Sequence, residues 1–327
     1  MRAPAPRLPE QRGAFWGRIR RGLLIALLSG CVPPSVQGQD VWGEALALQT
    51  GVDAPSGRAK ILSAFTLRSN APGFGGISGA VVAPDGETLS LVSDRGGFFE
   101  IRLRRDRNGD LSGLKLVRMG RLVGIDGTPL VGRNTDAEEL TFGDSGFLVS
   151  FERFHRLRLY RNGLDQPAEA IELPREAHRL PENTGIEALA LLPDRRLLLM
   201  SEDLEDGAAS VWRGSGGNWR KSLYVPRPSY RPTGATALTD GSILVVERHF
   251  SLLGGFSALL ARAVPPVAED GTWTRTELLS LEHGQFAENF EAVTLWRDPA
   301  GRVRAYLFAD DNFSPFQSSL LLEILLP

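Results

Sequence analysis

Carboxylates recur along this chain at places that an internal repeat makes equivalent. Glu138, Glu187 and Glu291 each open an apolar run, and Ser78 and Thr233 hold the same place in two further copies. The five openings lie 60, 49, 46 and 58 residues apart. A second set of acids ends the run that follows in each copy: Asp94, Glu152, Glu202, Asp203, Glu247, Asp310 and Asp311. Acids gathered in one partly desolvated place repel each other and need protons or cations. Calcium suits them, because it takes roughly six to eight hard oxygen ligands in loose geometry. Zinc does not: the chain has no histidine cluster and no cysteine pair. Glu187, Glu138, Glu291 and Asp94 are therefore the expected catalytic groups. Glu138, Glu187, Glu202, Glu291 and Asp310 are the expected ligands of calcium. The competing reading leaves half of these acids in solvent or capping turns.

An arginine follows the acid in three copies, as Asp94-Arg95, Glu152-Arg153 and Glu247-Arg248. A guanidinium fork beside a bound cation donates two parallel hydrogen bonds to a phosphate or carboxylate. Arg95, Arg153 and Arg248 are thus candidate receptors for a substrate anion, or else each neutralises its neighbour or bridges adjacent repeats. On a phosphoester, calcium would polarise the oxygens and acidify an attacking water, with a nearby Glu taking the proton. His155 and His249 follow two of these arginines and are candidates for an acid or an orienting group, against a plain packing role. A serine nucleophile lacks support, since Gly143-Asp144-Ser145-Gly146 reads as a turn and no strand-to-helix elbow is visible.

Residues so far apart meet only if the fold brings them together. Gly185-Ile186-Glu187-Ala188-Leu189-Ala190-Leu191-Leu192-Pro193-Asp194 reads as a strand opened by an acid and closed by a tight turn. Leu197–Met200 is a second apolar strand, ending in Ser201-Glu202-Asp203. Gly76–Asp85 repeats this in register, and looser copies begin at Asp136, Thr233 and Asn289. A hairpin recurring at this period marks the blade of a β-propeller. In that architecture the first strand of each blade lines the channel and the second runs antiparallel to it. The start of one and the end of the other then share a face, and the acids converge on one mouth.

The expected fold is all-β, a propeller of five blades, with six open if Val41–Leu48 helps build another. Blade one is predicted as Ile77–Ala83, Thr88–Ser93, Phe98–Arg104 and Leu114–Leu122, its outer pair joined through the turn at Asp106–Asp110. Blade five has only three strands after Glu291, and Ile61–Leu67 is expected to supply the fourth, closing the ring and removing its open edges.

The N-terminus is a different kind of text. Arg18, Arg20 and Arg21 precede the apolar run 22–28, then Ser29-Gly30 and Cys31, the chain's one cysteine. This is an export signal, and Leu28-Ser29-Gly30-Cys31 resembles a bacterial lipobox, with an ordinary signal peptide as the alternative. The organisation expected is a signal peptide with lipobox at 1–31, a linker at 32–58 and one domain at 59–327. Beyond residue 30 the chain carries 31 basic against 38 acidic residues, a formal −7, which speaks against nucleic acid as a partner. The expected partner is a small anionic substrate, a phosphoester or similar, bound by a monomer. Contact with a membrane would be only through lipid on Cys31, in the periplasm, with the outer membrane favoured by Val32 after the cysteine.

The blade pattern, Ser93-Asp94-Arg95-Gly96, the Glu-Ala openings at 187 and 291, and Ala309-Asp310-Asp311-Asn312-Phe313 resemble the phytase-like ("esterase-like activity of phytase") domain of bacterial exported proteins. The resemblance spans roughly residues 58–327. It implies a propeller with a phosphoester- or ester-hydrolysing role, periplasmic or surface-attached. A single-calcium lactonase-type hydrolase and a non-catalytic binding propeller of the envelope are the alternatives, because fold alone does not fix function.

Overall fold

The computed structural model describes residues 40–48, 55–268 and 270–327. The predicted signal peptide, Cys31 and part of the linker lie outside the described residues. Among the described residues every long element is a strand, and three short 3-10 turns are the helical content. Strands β1 (Val41–Ala45), β2 (Ser56–Gly57) and β3 (Lys60–Ser69) come first. A first antiparallel meander follows: β4 (Ile77–Val82), β5 (Thr88–Ser93), β6 (Gly97–Arg105) and β7 (Leu111–Arg121). The second is β8 (Ala137–Gly143), β9 (Gly146–Phe151), β10 (Arg156–Tyr160) and β11 (Glu169–Ile171). The third is β12 (Ile186–Leu191), β13 (Leu197–Glu205), β14 (Ala208–Ser215) and β15 (Asn218–Tyr224). The fourth is β16 (Arg231–Ala237), β17 (Ile243–Ser251), β18 (Gly255–Val264) and β19 (Thr272–Leu281). The fifth holds β20 (Phe290–Arg297), β21 (Val303–Ala309) and β22 (Leu320–Leu325), and β3 completes it by pairing antiparallel with β22.

The first strands of the meanders adjoin in the order β4, β8, β12, β16, β20 and back to β4. The architecture is a β-propeller. Strand β1 lies outside β3 in the same sheet, with Val41 opposite Ser69, so this part of the predicted linker extends the fifth meander.

Packing explains the closure. A meander in a ring is covered on both faces, so β4 is buried at every position and β5 at nearly every one. The apolar core falls into clusters, each wedged between consecutive meanders. Leu91, Phe99 and Ile101 of the first meet Trp296, Tyr306 and Phe308 of the fifth, and Val246 and Leu260 of the fourth meet Phe290 and Leu307 on the other side of it. Where first strands crowd the axis, side chains must be small. A Cβ on Gly79 would come within 2.5 Å of the Leu140 nitrogen, and one on Gly234 within 2.3 Å of the Glu291 carbonyl oxygen.

On the rim between the first and fifth meanders, Arg304 is wholly buried and donates to Asp110, Asp298 and Glu323. Asp106 accepts from the backbone of Asn108 and Asp110. The acids of the predicted turn at 106–110 thus cap the turn and neutralise an arginine.

Candidate active site

The site begins as a flaw in the ladder. Pairing between the first and second strands shifts register at the same place in every meander: between Ile77 and Gly79, Ala137 and Leu140, Ile186 and Ala188, Pro232 and Gly234, and Phe290 and Ala292. A bulge bends the strand and re-aims the extra residue. The re-aimed residues are Ser78, Glu138, Glu187, Thr233 and Glu291, the repeat openings. Two of them stitch the ring: Ser78 Oγ donates to the Ala137 carbonyl oxygen at 2.6 Å and Thr233 Oγ1 to that of Phe290 at 2.9 Å. The other three are carboxylates.

Beside each bulge stands the residue just past the paired end of the second strand. Asp94 N donates to the Gly76 carbonyl oxygen at 3.0 Å, Glu152 N to Asp136 at 2.9 Å, Glu202 N to Gly185 at 3.1 Å and Asp310 N to Asn289 at 2.9 Å. In the fourth meander this place belongs to Arg248, paired with Arg231. The sequence reading put Glu247 here, one residue early. Successive strand residues face opposite ways, so Glu247 points outward. Buried there, it accepts from Tyr224 Oη, from Arg227 N at 2.9 Å, and from Arg275 Nε and Nη2 at 2.7 and 3.1 Å.

The three bulged glutamates share one electrostatic neighbourhood. Burial, then the charges of Glu187, Glu152, Asp136 and Glu291, hold Glu138 well above the ordinary carboxylate range. Glu187 is raised likewise, by burial and then by Glu202, Glu152 and Glu291, with Arg248 opposing. Burial also raises Glu291, although Arg248 and Asn289 pull it down. Around them burial, with help from acid neighbours, pushes Asp94 up to about 6, Glu152 to about 7 and Asp310 to about 8. Acids so placed hold protons near neutrality or exchange them for a cation.

Asp136, Glu138 and Glu152 each bring a carboxylate oxygen within 4.8 Å of the others. Only Glu138 of the trio was among the expected ligands. Asp136 was missed because an acid two residues before a bulge carries no mark of its own. Asp310 is 2 % exposed, and its Oδ1 has no hydrogen-bond partner. An all-oxygen donor set, raised affinities for positive charge and an orphaned buried oxygen together suit a hard cation such as calcium.

The arginines divide. Arg153 pairs with Asp136. Arg248 pairs with Glu291 and, at 2.9 Å, with Glu202, and donates to Asn289 Oδ1 at 2.7 Å. Arg95 has no carboxylate partner within salt-bridge distance among the described residues. Its guanidinium lies 3.4 Å from the centroid of the Phe313 ring. The loop after β21 thus walls the mouth: Asp311 Oδ1 accepts from Gly76 N at 3.1 Å, and a Cβ on Gly76 would strike both Asp94 and Phe313.

Two further residues escaped the sequence reading. Glu139 follows Glu138 inside the second bulge but is fully buried, accepting from the backbone of Leu140, Ala235 and Ala80. It staples three meanders at the axis. Arg231 is exposed at the mouth and donates to the Glu202 carbonyl oxygen at 3.2 Å. His155 is a packing residue, with Nε2 at 3.1 Å from the carbonyl oxygens of Leu180 and Pro181.

A family model described as phytase-like, esterase-like activity of phytase, matches residues 72–313. No curated protein matches the chain. Among solved structures, the PQQ-bound aldose sugar dehydrogenase from Streptomyces coelicolor is 13% identical, with 85% of this chain and 100% of that chain covered and a TM-score of 0.45. A glucose dehydrogenase is 12% identical, with 81% and 98% covered and a TM-score of 0.41.

Proposed function

The chain belongs to the phytase-like family, whose description is esterase-like activity of phytase, and from that premise we propose a calcium-assisted hydrolase of phosphoesters or related esters. The observation that carries this reading is the recurrence of one bulge, which turns Glu138, Glu187 and Glu291 onto a common acidic mouth. Asp136, Glu138 and Glu152 would hold the ion, with Asp310 a further oxygen donor on the same mouth. When bound, calcium would polarise the ester oxygen and acidify water beside it. Glu187, outside that trio and held above the ordinary range, takes up the proton released by the attacking water. Arg95, braced on Phe313, is free to bind a negatively charged substrate oxygen.

A second reading is a lactonase needing one ion, and it is favoured by the single trio of acids that meets among the described residues. The two part in one experiment: calcium titration of the full chain, then turnover of 4-nitrophenyl phosphate and of simple lactones. Calcium-dependent release of phosphate supports the first reading, and lactone opening insensitive to inorganic phosphate supports the second. Stable binding of an envelope component with no turnover of either would retire both. We extend the proposal to location: export directed by residues 1–30 and a lipid on Cys31 would keep a monomer at the periplasmic face of an envelope membrane.

A further inference from the structure

A cavity of about 350 Å³ opens off the acidic mouth on the side of the fourth meander, lined in part by Arg231, Arg248, His249, Phe250, Phe256 and Asn312. Its chemistry departs from the rest of the mouth. Arg248 is already engaged by Glu202 and Glu291. Arg231 is not: its hydrogen bond goes to a backbone carbonyl, and it has no carboxylate partner within salt-bridge distance among the described residues.

The floor is ordered. His249 Nδ1 lies 2.9 Å from the Ser229 carbonyl oxygen, which can only accept, so this nitrogen is the donor of the bond. The imidazole also rests on Tyr230, with ring centroids 5.4 Å apart. Ser229 (φ 72°) and Asn312 (φ 48°) both hold left-handed backbone, which costs energy in residues with a Cβ and gathers at binding sites. The far wall is apolar. Phe250 and Phe256 face each other across the hairpin of β17 and β18 with centroids 4.8 Å apart, and Phe250 is 54% exposed.

We propose that this cavity is the substrate's recognition subsite, with Arg231 taking a negatively charged head and the Phe250–Phe256 pair taking a flat apolar group attached to it. The substrate class is then an aryl or similarly flat anionic ester. This inference rests on the hydrolase reading and narrows it.

Two probes that no esterase can cleave, methylphosphonate and phenylphosphonate, test the subsite by calorimetric titration of the full chain with calcium present. Phenylphosphonate should bind between about twofold and tenfold more tightly, the range for one good aromatic contact. Phe250→Ala should remove that preference and leave methylphosphonate unchanged. Arg231→Ala should weaken both by about tenfold or more, as expected for loss of a charge-assisted bond. Equal affinities for the two probes, no binding of either, or binding indifferent to Arg231→Ala would overturn the subsite. Turnover of 4-nitrophenyl phosphate is read separately: its absence with the ring preference intact removes the hydrolase reading alone.

Discussion

Arg248 occupies in the fourth meander the place that Asp310 occupies in the fifth, each lying just past the residue paired ahead of the bulge. One step of a repeated acid pattern is thus a built-in cation. It reaches both neighbours, Glu202 of the third meander and Glu291 of the fifth. Asp94, Glu138 and Glu152, on the opposite arc, form no salt bridge with a guanidinium among the described residues, and burial raises their proton affinities as it does those of Glu187, Glu291 and Asp310.

Removing that cation should destabilise the ring. Arg248 is 21% exposed at its side chain, and breaking a mostly buried pair costs roughly 3–5 kcal/mol. Arg248→Met should therefore lose about 3 kcal/mol in urea unfolding. The triple change that adds Glu202→Gln and Glu291→Gln should recover most of it, since no carboxylate is then stranded.

Glu187→Gln keeps shape and removes the group that takes the proton. Turnover of 4-nitrophenyl phosphate should fall about 100-fold or more. The unfolding midpoint should hold or rise, because a crowded acid has become neutral. A variant with full activity would remove Glu187 from the chemistry.

Stability should depend on pH in an unusual direction. Asp94, Glu152 and Asp310 titrate at about 6, 7 and 8 when folded, against ordinary values of 3.8, 4.5 and 3.8. The folded chain therefore binds more protons than the unfolded chain in this window. Their contribution is whole below about pH 4 and is lost as pH rises through 6, 7 and then 8. In chelator the melting temperature should drop between about pH 5 and 8, and millimolar calcium should restore it. A chelated protein that grows more stable across that interval would contradict this account.

Glu139 should behave as a structural residue despite its place beside Glu138. Glu139→Ala strands the backbone N–H groups of Leu140 and Ala235 and opens a void at the axis, a loss of about 3 kcal/mol by thermal or chemical unfolding. Glu139→Gln should cost less, because one amide oxygen still accepts.

Much of this was legible beforehand for a physical reason. Strands at a steady period, opened and closed by polar residues, repeat because each sheet must cover the next. The strands at 77–83 and 88–93 and the pairing of 61–67 with the C-terminal strand were therefore visible in the text. What lay hidden turned on single-residue register. Glu247 and Arg248 are neighbours in sequence and face opposite sides, and apolar flanks do not tell which of the two meets the channel. Glu138 and Glu139 pose the same problem inside a two-residue bulge, where one joins the site and the other the core. The partners of Arg248 come from the two neighbouring meanders, so no local pattern announces them.

Thr66 pairs with Leu320 and Ala64 with Leu322, so β3 waits for β22, the last of the described strands, before its sheet is whole. Contacts at such separation form late, after a large entropic toll on the intervening chain. A nascent polypeptide would accordingly keep this ring open until β22 has been made. A chain held open that long would remain threadable, as the export proposed for it would require.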